Sequence, residues 1–99
     1  MPSYIRYIDP RILSAPSSRP SGADPQKLAR QIALFGASQT GMPPPEVYEG
    51  LDGYFTVYNG VTRATRIAKL SPGTLIQIEV MGKLARRFGK DPSIGDLLP

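Results

Sequence analysis

The chain has 99 residues, 40% hydrophobic and 20% charged, the make-up of one small folded domain rather than a polar disordered tail. It holds no cysteine and no histidine, which excludes disulfides, thiolate metal sites, thiol catalysis and imidazole base chemistry. The net charge of +4 sits in the second part of the chain: residues 1–59 carry five basic and five acidic side chains, and residues 60–99 carry seven and three. Such a surplus suits an anionic partner (phosphate, nucleotide or nucleic acid), and a solvated surface accounts for it equally well. No apolar run is long enough for a membrane span, and no basic stretch precedes an apolar core at the N-terminus. The expectation is a cytoplasmic protein with no membrane partner.

Ser3-Tyr4-Ile5-Arg6-Tyr7-Ile8 predicts a first strand, stopped at Asp9-Pro10 because proline cannot donate to a ladder. Residues 10–23, rich in Pro and Ser, predict an irregular loop. Asp24-Pro25 predicts a helix start: the carboxylate caps free N–H groups and proline suits the first turn. Leu28, Ile32 and Phe35 give that helix one apolar face, and Gly36 ends it, so it spans residues 25–35.

Residues 36–45 end in three prolines and predict a stiff connector. Glu46–Glu49 and Tyr54–Tyr58, joined by Leu51-Asp52-Gly53, predict a hairpin. Asn59-Gly60 ends it, and a helix follows over residues 61–70, with Val61, Ala64 and Ala68 on one face and Ile67 beside them. Ser71-Pro72-Gly73 breaks that helix. Residues 74–81 alternate Ile76, Ile78 and Val80 against Gln77 and Glu79, the pattern of a half-buried strand. Lys83–Phe88 suggests a short basic helix, and residues 89–99 a loosely docked tail. The tyrosines at 4, 7, 48, 54 and 58 are expected to serve sheet packing. The fold class predicted is α+β, with about four strands and two main helices in a single domain.

The most informative stretch is Tyr58 to Arg66, where a strand passes through a glycine directly into a helix. The first N–H groups of a helix have no partner within it, and the helix dipole favours negative charge there. Glycine lets a ligand approach the backbone, Thr62 can donate a hydroxyl, and Arg63, Arg66 and Lys69 form a row on the helix. An arginine this early opposes the dipole unless an anion is bound beside it. An ordinary turn followed by an amphipathic helix with a wet basic face would give the same pattern.

Leu28-Ala29-Arg30-Gln31-Ile32-Ala33-Leu34-Phe35-Gly36-Ala37-Ser38-Gln39 resembles the L-A-x-S-I-x-x-x-G-x-x-Q segment of ParB-type domains. Asn59-Gly60-Val61-Thr62-Arg63-Ala64 resembles their G-E-R-R box, and looks still more like the D-G-H-T-R-A version found in free-serine kinases of the same superfamily. The two motifs stand in the family's order, and the resemblance covers residues 4–81. It implies a ParB/sulfiredoxin-like fold that binds a nucleotide: Gly60, Thr62 and Arg63 on phosphate, Gly36, Ser38 and Gln39 along the nucleotide, and Arg19 reaching in from the first loop. The ligand implied is CTP, ATP or ADP, with Mg2+ accompanying it, and nucleotide hydrolase or phosphotransferase activity is implied by resemblance alone. The departures are specific. Sulfiredoxin chemistry needs a cysteine and is excluded. Val61 stands where ParB domains carry glutamate, which removes an acid from beside the phosphates. The helix-turn-helix that follows the domain in partition proteins is not expected within these 99 residues.

The residues expected on phosphate or nucleotide are therefore Asn59, Gly60, Thr62, Arg63, Arg66, Gly36, Ser38, Gln39 and Arg19, with no catalytic base and no metal ligand nominated. A second hypothesis is a nucleic-acid-binding module that uses Lys83, Arg86, Arg87 and Lys90 on phosphate backbones. A third is a protein-interaction scaffold, for instance a homodimer. Asp9 is expected to serve the turn after the first strand, and Glu46, Glu49 and Asp52 to decorate an exposed hairpin rather than bind a metal.

Overall fold

Alternation of β-branched residues places β4 (Ile76–Lys83) inside the sheet, with Ile76, Ile78 and Val80 buried and Gln77 exposed. The computed structural model describes residues 2–99, in which β1 (Tyr4–Ile8), β2 (Glu46–Glu49), β3 (Phe55–Asn59) and β4 form one sheet in the order β1-β4-β2-β3. β1 runs antiparallel to β4, β2 antiparallel to β3, and β2 parallel to β4, so the sheet is mixed. Two helices complete the α+β fold: α1 (Pro25–Phe35) and α2 (Val61–Leu70).

Ala64, Ile67 and Ala68 of α2 share one core with Val47, Val57, Ile76, Ile78 and Val80 of the sheet. The expected apolar face of α2 is thus the face it buries. α1 packs on α2 and is peripheral: Leu28 is its only buried residue, Ile32 is half-buried and Phe35 is 53% exposed. Asp9 caps a 3-10 turn at Pro10–Ile12 by accepting from the backbone N–H of Arg11, as a turn residue should.

Three expectations fail, the last only in part. Lys83–Phe88 is not helical: β4 continues to Lys83 beside β2, and the chain then bends at Ala85 and Arg86, with Leu84 N–H donating to Glu49 O (2.9 Å) and Leu51 N–H to Arg86 O (2.7 Å). Gly50 permits this, since a Cβ there would lie 2.6 Å from both Arg86 O and the Phe88 ring. Residues 89–99 are not a loose tail. Ile94 joins the core, its N–H donates to Leu13 O (2.8 Å), and just before this segment the Phe88 ring is 2% exposed. The tyrosines pack the sheet only in part, and outside its core: Tyr4, Tyr7, Tyr54 and Tyr58 are exposed and Tyr48 is half-buried, with Tyr48 and Tyr58 meeting edge-on across β2 and β3. The buried positions of β3 and β4 are taken by Phe55, Val57, Ile76, Ile78 and Val80, and alternation turns Tyr58 away from that core.

Candidate functional site at the start of the second helix

β3 ends at Asn59, and the chain enters α2 through Gly60 at φ 102°, in the left-handed region. A Cβ at this glycine would lie 2.6 Å from Arg63 Nη2 and 3.0 Å from Pro45 Cα. The Arg63 guanidinium is therefore folded back over the turn, into the space that the missing side chain leaves.

The two helices begin differently. α1 is capped: the Asp24 carboxylate accepts from Gln26 N–H (2.8 Å) and Lys27 N–H (3.2 Å). Those bonds hold the Asp24 carboxyl below its ordinary range. α2 has no side-chain cap, and its first backbone bond is Ala64 N–H to Gly60 O at 3.1 Å. Its opening N–H groups and the positive end of its dipole border a cleft of about 230 Å³.

Arg19, Lys27 and Arg63 converge on this cleft beside Gly60, Thr62 and Ser18. No Asp or Glu lines it. The ion pairs among the described residues, Arg11–Asp9 and Arg86–Asp91, lie elsewhere; none of the three cations is in a close ion pair, and Lys27 and Arg19 act on the Asp24 carboxylate only at longer range. At the turn itself, Glu46 Oε1 accepts from Asn59 Nδ2 at 3.0 Å. Asn59 lines the cleft with its amide committed to that bond.

Five of the expected residues, Arg19, Asn59, Gly60, Thr62 and Arg63, are thus brought together. Four are not. Arg66 is 2% exposed and points away from the cleft, its Nη1 donating to Gly36 O (2.7 Å) and Ser38 O (2.8 Å). Its burial pulls its pKa down. The basic row is accordingly split: Lys69 is exposed, Arg63 half-buried, and Arg66 lies under α1 and the loop after it. Gly36 and Ser38 hold Arg66 instead of a nucleotide, and Gln39 Nε2 donates to Leu75 O at 3.3 Å. Lys27, Gln31, Ser18 and Tyr58 line the cleft and were not expected there. Lys27 and Gln31 are four apart on α1, hence on one face, and that spacing was a usable signal.

A second, larger trough of about 730 Å³ adjoins the cleft and shares Pro16, Ser18, Val57 and Tyr58 with it. Its walls carry Tyr48, Tyr58 and Phe88, the two tyrosine rings meeting edge-on at 5.6 Å. Arg86 and Asp91 stand on its rim, paired at 3.0 Å, with the guanidinium 5.2 Å from the Phe88 ring. Lys83, Arg87 and Lys90 are exposed and line neither cavity. Asp52 does not gather with Glu46 and Glu49 around an ion. Its carboxylate accepts from the N–H groups of Tyr54, Phe88 and Gly89, clasping the hairpin to the C-terminal segment. No group of three His, Cys, Asp or Glu residues that could hold a metal occurs among the described residues, and none of their helices is long and apolar enough to cross a membrane.

Comparison of the chain with protein-family models, with curated proteins and with solved structures yields no match. The resemblance to ParB-type domains rests on the two motifs alone.

Proposed function

We propose that the protein binds a nucleotide, with the phosphates in the cleft at the start of α2 and the base and sugar in the adjoining trough. The observation that carries this is the uncapped helix start meeting Arg19, Lys27 and Arg63 with no carboxylate among them. Backbone N–H donors, a helix dipole and guanidinium forks converging on one small space form the usual chemistry of phosphate recognition. The trough supports the second half of the proposal, since aromatic walls suit a base and its volume falls in the range of small-molecule sites. The resemblance to the nucleotide-binding box of ParB-type domains falls on the same turn.

The proposal is for binding, and names no catalytic residue. No carboxylate lines the cleft, so phosphate oxygens would supply the first ligands of any Mg2+. The test is calorimetric titration with CTP, ATP, ADP and pyrophosphate, with and without Mg2+. At least one nucleotide is expected to bind. Arg63→Ala removes charged hydrogen bonds of about 1.5–3 kcal/mol, which weakens binding by roughly 10- to 150-fold. No heat with any nucleotide, or undiminished binding by Arg63→Ala, refutes the proposal.

A second reading, nucleic-acid binding, is favoured by Arg86 on the rim of the trough and by the exposed Lys83, Arg87 and Lys90 nearby in sequence. It requires a salt-dependent gel shift that survives Arg63→Ala and is lost in the Arg86→Ala/Arg87→Ala double variant.

A further inference from the structure

Adjoining the phosphate cleft at Gln31 and Arg63 lies another cavity of about 230 Å³. It sits between the C-terminal part of α1 and residues 40–43, and Gln31, Phe35, Thr40, Met42, Arg63 and Arg66 line it. Two of these residues, Gln31 and Arg63, also line the phosphate cleft.

The side-chain polar atoms that are buried without a hydrogen-bond partner among the described residues are Gln31 Oε1, Arg63 Nε and Arg66 Nε. Two of them, Arg63 Nε and Arg66 Nε, are donors on residues of this one cavity's wall and call for an acceptor, whereas Gln31 Oε1 is itself an acceptor and is no partner for an anion. Arg66 is the most telling. It is 2% exposed, no carboxylate pairs with it, and no acidic side chain lines the cavity. Its bonds to Gly36 O and Ser38 O tie α1 to α2, but they occupy Nη1 alone. Nη2 meets only the Met42 sulfur, at 3.3 Å, a weak acceptor, and Nε meets nothing. A structural tie between two helices does not need a buried cation whose remaining donors go unused, and a buried charge without a counter-charge is costly.

We propose that this cavity is a second anion site, for a small organic acid. Its carboxylate supplies the counter-charge to Arg66, with Arg63 at its other side, and its apolar body lies on Phe35 and Met42. The planar fork of a guanidinium matches a carboxylate. One negative charge balances one buried cation, and a carboxylate leaves water more readily than a phosphate dianion does. The aromatic and thioether walls provide for the rest of the molecule: the Phe35 ring already lies 5.4 Å from the Arg66 guanidinium, yet is 53% exposed. The site does not depend on a phosphate occupying the cleft. Because Gln31 and Arg63 border both cavities, filling one is expected to alter affinity at the other.

The experiment is a titration of the isotope-labelled full chain followed by NMR, reading the backbone amide and arginine Nε–Hε signals. The probes are acetate, isovalerate and benzoate, with benzyl alcohol as the uncharged counterpart and inorganic phosphate as the competing anion. Isovalerate or benzoate is expected to give saturable shifts at Arg66 and Phe35, where benzyl alcohol gives none. Phosphate is expected to shift Val61–Arg63 and leave Arg66 unchanged. Phe35→Ala, which changes an exposed ring and spares the core, should weaken the carboxylate about fivefold or more without affecting phosphate. Lys27→Ala, on the wall of the phosphate cleft only, should do the reverse, so failure of one site is distinguishable from failure of the other. The proposal is overturned if no carboxylate gives a saturable shift up to about 20 mM, where a millimolar site would be filled. Equal shifts from benzyl alcohol, or undiminished binding by Phe35→Ala, also overturn it.

Discussion

Gly60→Ala tests the turn on which the proposed phosphate cleft is built. Two separate costs follow from the geometry. Alanine must adopt φ 102°, and the left-handed region costs an L-residue about 1–2 kcal/mol. The new Cβ also meets Arg63 Nη2 at 2.6 Å and Pro45 Cα at 3.0 Å. The guanidinium can swing away, but it then leaves its place beside the helix start, while the Pro45 backbone has little room to move. Together these give about 2–3 kcal/mol of destabilisation. For a domain of this size that lowers the melting temperature by roughly 10–20 °C. Urea unfolding followed by far-UV circular dichroism measures it in a chain that has no tryptophan. An Arg63→Ala background removes the clash with the guanidinium and leaves the backbone cost. Gly60→Ala should therefore be milder there by about 1 kcal/mol, a coupling beyond the usual scatter of independent sites. Strict additivity of the two substitutions, or a loss below about 0.5 kcal/mol for Gly60→Ala alone, would refute the account of the turn.

The remaining predictions concern the C-terminal segment and acid. Phe88→Ala empties a ring site that is 2% exposed and should cost about 3–5 kcal/mol by urea unfolding, whereas a loss under about 1 kcal/mol would mean that the segment is not docked. Acid should destabilise the protein through Asp9, Asp24 and Asp52, each held below its ordinary 3.8. For Asp9 the cause is the Arg11 side chain, and for Asp24 the capped N–H groups. For Asp52 desolvation pushes upward, and the N–H groups of Gly89, Phe88 and Tyr54 together outweigh it. A depressed carboxylate contributes its full stability above the unfolded value and loses it as pH falls through the folded one. Urea midpoints should therefore hold steady above this range and drop as pH falls below 3.8, and the drop should be shallower in Asp52→Asn.

The elements that local chemistry bounds were legible in the sequence. Asp24-Pro25 and Gly36 mark α1 to the residue, and the β4 alternation identifies its buried side. Arg63, Gly60 and Thr62 follow from helix-start physics, and Arg19 from the family resemblance alone. Arg66 was misplaced for a tertiary reason. Residue type assigns a charged side chain to water, whereas here α1 and the loop after it cover the side of α2 from which Arg66 projects. The C-terminal segment was illegible for a different reason. Residues 83–94 carry no hydrophobic period, and their course depends on Gly50, far away in sequence, lacking a Cβ against which Arg86 O and the Phe88 ring would collide.

The contrast between the two helix starts bears most directly on what the protein binds. α1 satisfies its first N–H groups from within the chain, through a carboxylate placed one residue before the helix. α2 has a glycine at that position, a guanidinium folded over it, and Arg19 and Lys27 alongside. Each feature opposes the stability of an isolated α2, because positive side chains at the positive end of a dipole repel it. The helix persists because Ala64, Ile67 and Ala68 are buried against the sheet, and that packing outweighs a poor start. The same residues that weaken the helix start all favour one change: arrival of negative charge at its first turn. Under the wall formed by α1, Arg66 repeats the pattern, a cation with its charge uncompensated by any side chain. Both places share Arg63 and Gln31, so the two proposed anions would both act on one arginine.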